Sequence, residues 1–125
     1  MINTNFAYKC TLFVGLFDKD TKRQEVTTEF AERLIADYFA RHDRCCTLSR
    51  CTGVYRHNDG TTVCEPSIRV EWYLTEDDMK RDNINEILDY CPCAITAVIG
   101  TYLNQESILY HTEPTPYAGL YELSK

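Results

Sequence analysis

The stretch "CTLSRCTGVYRHNDGTTVCEPSIRVEWYL", residues 46 to 74, predicts a β-hairpin. Its second half alternates apolar and polar side chains, with Ile68, Val70 and Trp72 on one face, which is the period-two pattern of a strand with one buried side. The letters "NDGT" between the halves are residues that tolerate the positive φ of a tight turn. Pro66 has no amide to donate to a sheet, so we expect the second strand to bulge or begin beside Glu65.

The sequence on both sides of this hairpin predicts further elements. "YKCTLFVGLF" reads as a central strand, and "VTTEFAERLIADYFARH" as an amphipathic helix capped by Thr27 or Thr28. A second helix is expected from Thr75, and "CAITAVIGTYL" after Pro92 as a short apolar helix. "SILYHT" reads as a final strand.

This order of elements predicts an α+β fold of the ferredoxin-like or a related type. The order is β-α-β-β-α-α-β, and it fits an antiparallel sheet of about four strands with helices on one face. At 125 residues the chain is the size of one domain, so residues 1–125 are expected to form a single domain. Residues 113–125 hold two prolines and the apolar side chains of Tyr117, Leu120, Tyr121 and Leu123, and we expect them to form a tail that packs at an oligomer interface.

Composition excludes several classes of protein. The net charge of −6 argues against a nucleic-acid duplex as partner, because such binding depends on many phosphate contacts from Lys and Arg. No apolar run is long enough to span a membrane, and "MINTNFAYKC" does not resemble a signal peptide. We therefore expect a cytoplasmic protein.

The seven cysteines are expected to be reduced and mostly buried. Their number is odd and their spacing irregular, whereas a secreted disulfide scaffold normally uses an even set. A structural zinc site is the alternative, but its usual pair of CxxC knuckles is missing from the sequence. We expect neither a metal nor a cofactor.

No catalytic motif is present. The sequence has no GxSxG, Walker, GxGxxG or HExxH pattern, and no histidine is paired by spacing with a nucleophile. The sequence alone therefore predicts a protein that is not an enzyme and has no catalytic residues.

Binding residues are better represented. Arg56 and Arg69 are candidates to hold phosphates, although each has an alternative as a cross-strand partner of Glu65 or Glu71. Stacking on a base is proposed for Trp72 or Tyr102, although aromatic residues in strands are usually core. Asn and Gln side chains suit a base edge or ribose hydroxyls, and "LNQES" places two of them, Asn104 and Gln105, between a helix and a strand. A purely structural turn, with Asn104 capping the helix in a left-handed conformation, is the alternative there.

Three segments together resemble the Thoeris anti-defence proteins of the first type. These are "VGLFDKDTKRQEV", "TGVYRHNDGTTVCEPSIRVEW" and "LNQESILY", and the resemblance covers about residues 10 to 110. It implies a phage protein that sequesters glycocyclic ADP-ribose signals, and in some members cyclic trinucleotides, in the cytoplasm of the infected host. It also implies assembly as a dimer or hexamer. By this resemblance Asn104 lies in the segment that meets the nucleotide.

Two other functions stay open. An enzyme that cleaves a cyclic nucleotide signal would need a nucleophile, a base or a metal that the sequence does not identify. A protein inhibitor acting by surface contact is the third possibility, with Glu76, Asp77 and Asp78 as an acidic face.

Overall fold

The computed structural model describes residues 3–56, 59–78 and 92–123. Thr75 is followed by a helical turn over residues 76–78, and the remainder of the helix expected there lies outside the described residues. The main elements in chain order are β1 (Asn3–Gly15), α1 (Thr28–Arg41), β2 (Thr47–Arg56), β3 (Thr62–Leu74), α2 (Pro92–Tyr102) and β4 (Leu109–Tyr121).

The four strands form one antiparallel sheet in the order β2-β3-β1-β4. The predicted hairpin is present, and its register pairs Gly53 with Glu65 and Arg50 with Ile68. β1 lies between β3 and β4, so the first and last strands of the chain are direct neighbours in the sheet. The predicted α+β class and the four-stranded antiparallel sheet are confirmed.

One face of the sheet carries the hydrophobic core. Its strand residues and helix residues form one cluster, and α1 presents an apolar stripe to it at helical spacing. Thr27 caps α1 as predicted, since its side chain accepts a hydrogen bond from the Phe30 amide at 3.0 Å. The fully or nearly buried members are Cys10, Leu12, Val14, Leu16, Ala31, Ile35, Tyr38, Phe39, Ile68, Val70, Trp72, Leu74, Ile99 and Leu103.

β4 extends through the segment that was predicted as a tail. It runs to Tyr121 and pairs with β1, with Pro114 opposite Tyr8 and Leu120 opposite Thr4. Prolines are tolerated there because β4 is an edge strand, where a missing amide need not break a ladder on its outer side. The tail reading of residues 113–121 is therefore corrected to a strand, while its place at an oligomer interface stays a prediction.

The helix predicted after Pro92 is also present, with one shift in its start. Pro92 is the first residue of α2 rather than a residue before it, a position where the absent amide costs no helical hydrogen bond. None of the helices in the described ranges is long and apolar enough to cross a membrane.

Candidate functional site

The second face of the sheet has no described helix packed on it and carries buried polar side chains. Glu65 is 9% exposed and Ser67 and Thr11 are each 5% exposed. Odd-numbered residues of β3 point to this face, because their even-numbered neighbours fill the core. Buried polar and charged side chains are uncommon, which makes this face a candidate for a functional site.

A cavity of 430 Å³ lies at one end of this face. That volume falls in the range of ligand pockets, about 300 to 1,000 Å³. It is formed where the ends of β1, β2 and β3 meet the segment after β1 and the turn before β4. The lining residues are Phe13, Gly15, Phe17, Asp18, Lys19, Lys22, Gly53, Val54, Tyr55, Val63, Glu65, Ser67, Gln105, Glu106, Ser107 and Leu109.

The Glu65 carboxylate lies in the wall of this cavity. Its Oε2 accepts a hydrogen bond from the Phe17 amide at 2.9 Å. No lysine or arginine in the described ranges forms an ion pair with it among the observed salt bridges. A buried carboxylate with one amide donor retains capacity to accept further hydrogen bonds or to face a cation.

Two glycines make room for buried polar side chains of this face. A Cβ on Gly15 would come within 2.6 Å of the Glu65 carboxyl carbon, and a Cβ on Gly53 would come within 2.9 Å of the Ser67 hydroxyl oxygen. Neither position has space for a larger residue unless its neighbour moves. Gly15 therefore allows the β1 backbone to lie close to the Glu65 carboxylate, and Gly53 allows the β2 backbone to lie close to the Ser67 hydroxyl.

Aromatic and apolar side chains form the rest of the wall. Phe13 is 38% exposed and Tyr55 40% exposed, and Leu109 lies opposite Phe13 in the sheet register. Burial raises the pKa of Tyr55, and the negative charges of Glu65 and Glu106 raise it further. Tyr55 is therefore held as a neutral phenol beside two carboxylates.

The rim of the cavity carries charges of both signs. Lys19 and Lys22 come from the segment after β1, and Glu106 comes from the turn before β4. Gln105 joins the two segments, since its Nε2 donates to the Phe17 carbonyl at 2.7 Å. The cavity therefore has the buried carboxylate of Glu65 in its wall and the ammonium groups of Lys19 and Lys22 at its rim.

The residues predicted as ligand-binding are distributed over several places. Gln105 lines the cavity, whereas Asn104 lies beside it in an adjoining groove. Arg69 is on the same face of the sheet but forms an ion pair with Glu71, which is also bonded to Lys9 at 3.7 Å. Their ligand-binding roles stay predictions.

The other three predicted residues lie away from the cavity. Arg56 follows Tyr55 in β2, so strand alternation directs it to the opposite face. Trp72 is 1% exposed in the core, with its ring 5.3 Å from that of Phe39. Tyr102 is 67% exposed at the end of α2, where it lines a groove between α2 and α1.

The sequence reading missed the residue that is best placed for chemistry. Glu65 was considered only as a salt-bridge partner, yet it is the buried acid of the cavity. The available signal was a carboxylate next to Pro66 with glycines in both neighbouring strands, at positions 15 and 53. Glycine within a strand often marks a close approach of backbone or ligand.

Metal ligands and thiols do not add to this site. Among the residues that the structure describes, no three His, Cys, Asp or Glu side chains cluster in a way that would hold a metal ion. Five free cysteines are described, of which Cys10 is buried and Cys45 and Cys64 are exposed. The prediction that most thiols are buried is therefore wrong for these two.

Comparison with solved structures shows a shared fold. A phage SAM lyase in complex with S-methyl-5′-thioadenosine matches with a TM-score of 0.64 and 17% identity, over 93% of this chain and 88% of that chain. The apo state of a phage SAM lyase matches with a TM-score of 0.63 and 17% identity, over 87% and 81% of the two chains. CutA from Synechococcus elongatus matches with a TM-score of 0.47 and 8% identity, over 94% and 82%.

No family model and no curated protein matches the sequence. The resemblance to the Thoeris anti-defence proteins is thus not confirmed, and what the comparisons support is a fold shared with a phage SAM lyase. The expectation that the chain is not an enzyme is contradicted by the same matches, because the fold it shares belongs to a lyase. A lack of sequence motifs was weak ground for that expectation, since an acid buried by tertiary contacts leaves no local pattern.

Proposed function

We propose that this protein is a lyase acting on S-adenosylmethionine in the cytoplasm of a phage-infected bacterium. The observation that carries the proposal is the buried Glu65 carboxylate in a nucleoside-sized cavity with aromatic walls. The matched phage SAM lyase contains S-methyl-5′-thioadenosine, and that molecule is what remains when the aminobutyryl group leaves the sulfonium.

The charge of the substrate fits the cavity. S-adenosylmethionine carries a positive sulfonium between its nucleoside and amino-acid halves. A carboxylate in a partly dry site attracts such a cation more strongly than it would in water. Phe13 and Tyr55 offer rings for the adenine or for a cation–π contact with the sulfonium.

The reaction needs no water and no cofactor. A carboxylate oxygen of the substrate attacks the γ carbon of its own aminobutyryl chain and forms a five-membered lactone. The bond from that carbon to sulfur breaks, and its electron pair stays on sulfur, which becomes a neutral thioether. The protein's part is to hold the substrate folded and to keep water away, which is catalysis by orientation.

Lysines at the rim suit the amino-acid end of the substrate. Lys19 and Lys22 line the cavity and are exposed at its mouth, where a lysine ammonium can receive the substrate carboxylate. Glu65 lies deeper in the wall. The positive sulfonium would thus face Glu65, and the negative carboxylate would face the lysines.

The test is conversion of S-adenosylmethionine to S-methyl-5′-thioadenosine, measured by liquid chromatography and mass spectrometry. We expect turnover by the natural protein and a loss of at least about 100-fold in kcat/KM for Glu65→Gln, within the range for removal of one key charged group. Glu113→Gln is the matched control, because it removes a carboxylate from β4 of the same sheet that does not line the cavity. Absence of the thioadenosine product with the folded natural protein overturns the proposal.

A glycocyclic ADP-ribose is the second candidate ligand, favoured by Lys19, Lys22 and Gln105 at the rim. Lysines bind phosphates, and the Thoeris resemblance implies this ligand. Glu65, Glu106 and Asp18 in the same cavity oppose a diphosphate, so we rank it second. To test it, the protein is incubated with the cyclic nucleotide, and both the depletion of free ligand and the formation of products are assayed. The oligomeric state is measured by light scattering.

A further inference from the structure

We infer that Asn104 is a positioning residue, which holds the lysine-bearing loop over residues 17–22 against the turn over residues 104–107. Both segments line the cavity, while the Asn104 side chain lies outside it. For its kinetic consequences this inference rests on the proposed lyase function. The contact itself is measurable without any substrate.

Three hydrogen bonds join Asn104 to the loop. Its Nδ2 donates to Asp18 Oδ2 and to Asp20 Oδ2, each at 2.9 Å. The backbone carbonyl of Asn104 accepts from the Lys19 amide at 3.0 Å. One residue therefore fixes three consecutive residues that lie more than eighty positions earlier in the chain.

The residue type is well matched to this task. A carboxamide offers two N–H donors, and both carboxylates of the loop accept from them. Asn104 also has a φ of 50°, a left-handed conformation that Asn adopts more readily than most residues. An aspartate here would repel Asp18 and Asp20, and an alanine would remove the donor to Asp18 Oδ2 and Asp20 Oδ2.

Asp18 transmits the contact into the loop. Its Oδ1 accepts from the amides of Asp20 at 2.8 Å and Thr21 at 3.1 Å, while its Oδ2 faces Asn104. The hydrogen bond from Asn104 holds the pKa of Asp18 below its usual value, and those from Thr21 and Asp20 add to this. The loop that carries Lys19 is thus ordered by a carboxylate that Asn104 orients.

A second connection runs from the same turn to the acid of the cavity. Gln105 Nε2 donates to the Phe17 carbonyl at 2.7 Å, and the Phe17 amide donates to Glu65 at 2.9 Å. Phe17 is therefore held on both sides of its backbone, by the turn and by the buried carboxylate. Loss of the Asn104 side chain would remove the hydrogen bonds to Asp18 and Asp20. Gln105 would keep its hydrogen bond to the Phe17 carbonyl.

The test uses Asn104→Gly, because glycine keeps the left-handed backbone at no steric cost and removes only the side chain. We expect amide hydrogen exchange of Asp20 and Thr21 to become about tenfold faster, the equivalent of one ordinary hydrogen bond. KM for S-adenosylmethionine should rise about tenfold with kcat changed less than about twofold, the pattern for lost uniform binding. Thr101→Ala is the control, since it removes a side-chain bond to the Ala97 carbonyl within α2 and should leave both readings unchanged.

The outcomes separate the two proposals. Unchanged exchange of the loop amides in Asn104→Gly overturns the positioning role, whatever the activity. A loss of kcat with unchanged KM also overturns it, because that pattern assigns Asn104 to the chemical step. If the natural protein forms no thioadenosine while the loop amides do exchange faster, the lyase proposal fails and the structural contact is supported.

Discussion

The Glu65 carboxylate fills the space that a side chain at Gly15 would occupy. A Cβ at position 15 would lie 2.8 Å from Glu65 Oε2 and within 2.6 Å of its carboxyl carbon. The two residues are 50 positions apart in the chain and are brought together by the pairing of β1 with β3. The buried acid of the cavity thus depends on a missing side chain in the neighbouring strand.

Gly15→Ala is therefore expected to displace Glu65 and to abolish turnover. A contact below 3 Å forces the carboxylate to rotate, which breaks its hydrogen bond from Phe17. We expect kcat/KM for S-adenosylmethionine to fall at least about 100-fold, and stability in urea to fall by about 1 to 3 kcal/mol, as for overpacking.

The control for this change is Gly100→Ala in α2. A Cβ there would meet Ile108 at 3.5 Å, an ordinary contact, and alanine favours a helix over glycine by about 1 kcal/mol. The control should keep its activity and should not lose stability. Full activity in Gly15→Ala would show that the position of Glu65 does not matter for the reaction.

The ionisation of Tyr55 should report on the carboxylates of the cavity. Burial raises the pKa of Tyr55, and the charges of Glu65 and Glu106 raise it further. In Glu65→Gln one of these charges is removed, so the phenol should ionise at a lower pH than in the natural protein, while burial keeps its pKa above the ordinary value.

The measurement is NMR titration of 13C-labelled tyrosine ring carbons, with the Tyr55 signal assigned by Tyr55→Phe. Glu113→Gln serves as the control, because Glu113 pairs with Lys9 in the register of the sheet and does not line the cavity. An unchanged Tyr55 titration in Glu65→Gln would contradict the close approach of the two side chains.

The fold could be predicted from the sequence because each element carries its own local signal. α1 has its N-cap residue, and the hairpin of β2 and β3 has turn-forming residues between its strands and an alternation of apolar residues along β3. The prediction ended the last strand at Thr112, and Pro114 and Pro116 lie just beyond that point. Only the sheet order shows that β4 is at an edge, where those prolines are tolerated.

The cavity was less predictable because it is built from contacts between distant residues. Glu65, Gly15 and Gln105 come from three separate parts of the chain, and no spacing in the sequence shows that they meet. The turn "LNQES" was recognised as unusual, and Gln105 does line the cavity. Glu65 was overlooked, since a carboxylate in a strand more often forms a cross-strand ion pair.

The ion pair of Arg44 with Asp78 is expected to contribute to stability. The Arg44 guanidinium donates two hydrogen bonds to Asp78, at 3.0 and 3.1 Å, and the Thr75 amide donates another at 3.0 Å. Asp78 is 6% exposed. Asp78→Asn should lower the free energy of unfolding at pH 7 by about 1 to 3 kcal/mol, whereas Asp77→Asn, at an exposed neighbour, should change it by less than about 0.5 kcal/mol.

The same pair predicts a pH dependence. Burial alone would raise the pKa of Asp78, but the hydrogen bonds from Arg44 and Thr75 outweigh it and hold the pKa below its usual value. The carboxylate therefore stabilises the fold above the unfolded-state pKa, and this contribution is lost as the pH falls through the lower folded-state pKa. Urea unfolding between pH 7 and pH 3 should show the gap between natural protein and Asp78→Asn closing at the acidic end, and a constant gap would contradict the ionic origin of the effect.

Alkylation of the cysteines should follow exposure and thiol pKa. Burial, together with a smaller effect of the neighbouring Cys45, raises the pKa of Cys46 to about 11, so at pH 8 only about 0.1% of this thiol is the reactive thiolate. The exposed Cys64 should react with iodoacetamide well before Cys46. Peptide mapping by mass spectrometry in a Cys45→Ser background separates the adjacent thiols, and the difference should disappear in urea. Equal rates in the folded protein would mean that Cys46 is not held in its half-buried position beside α1 and the sheet.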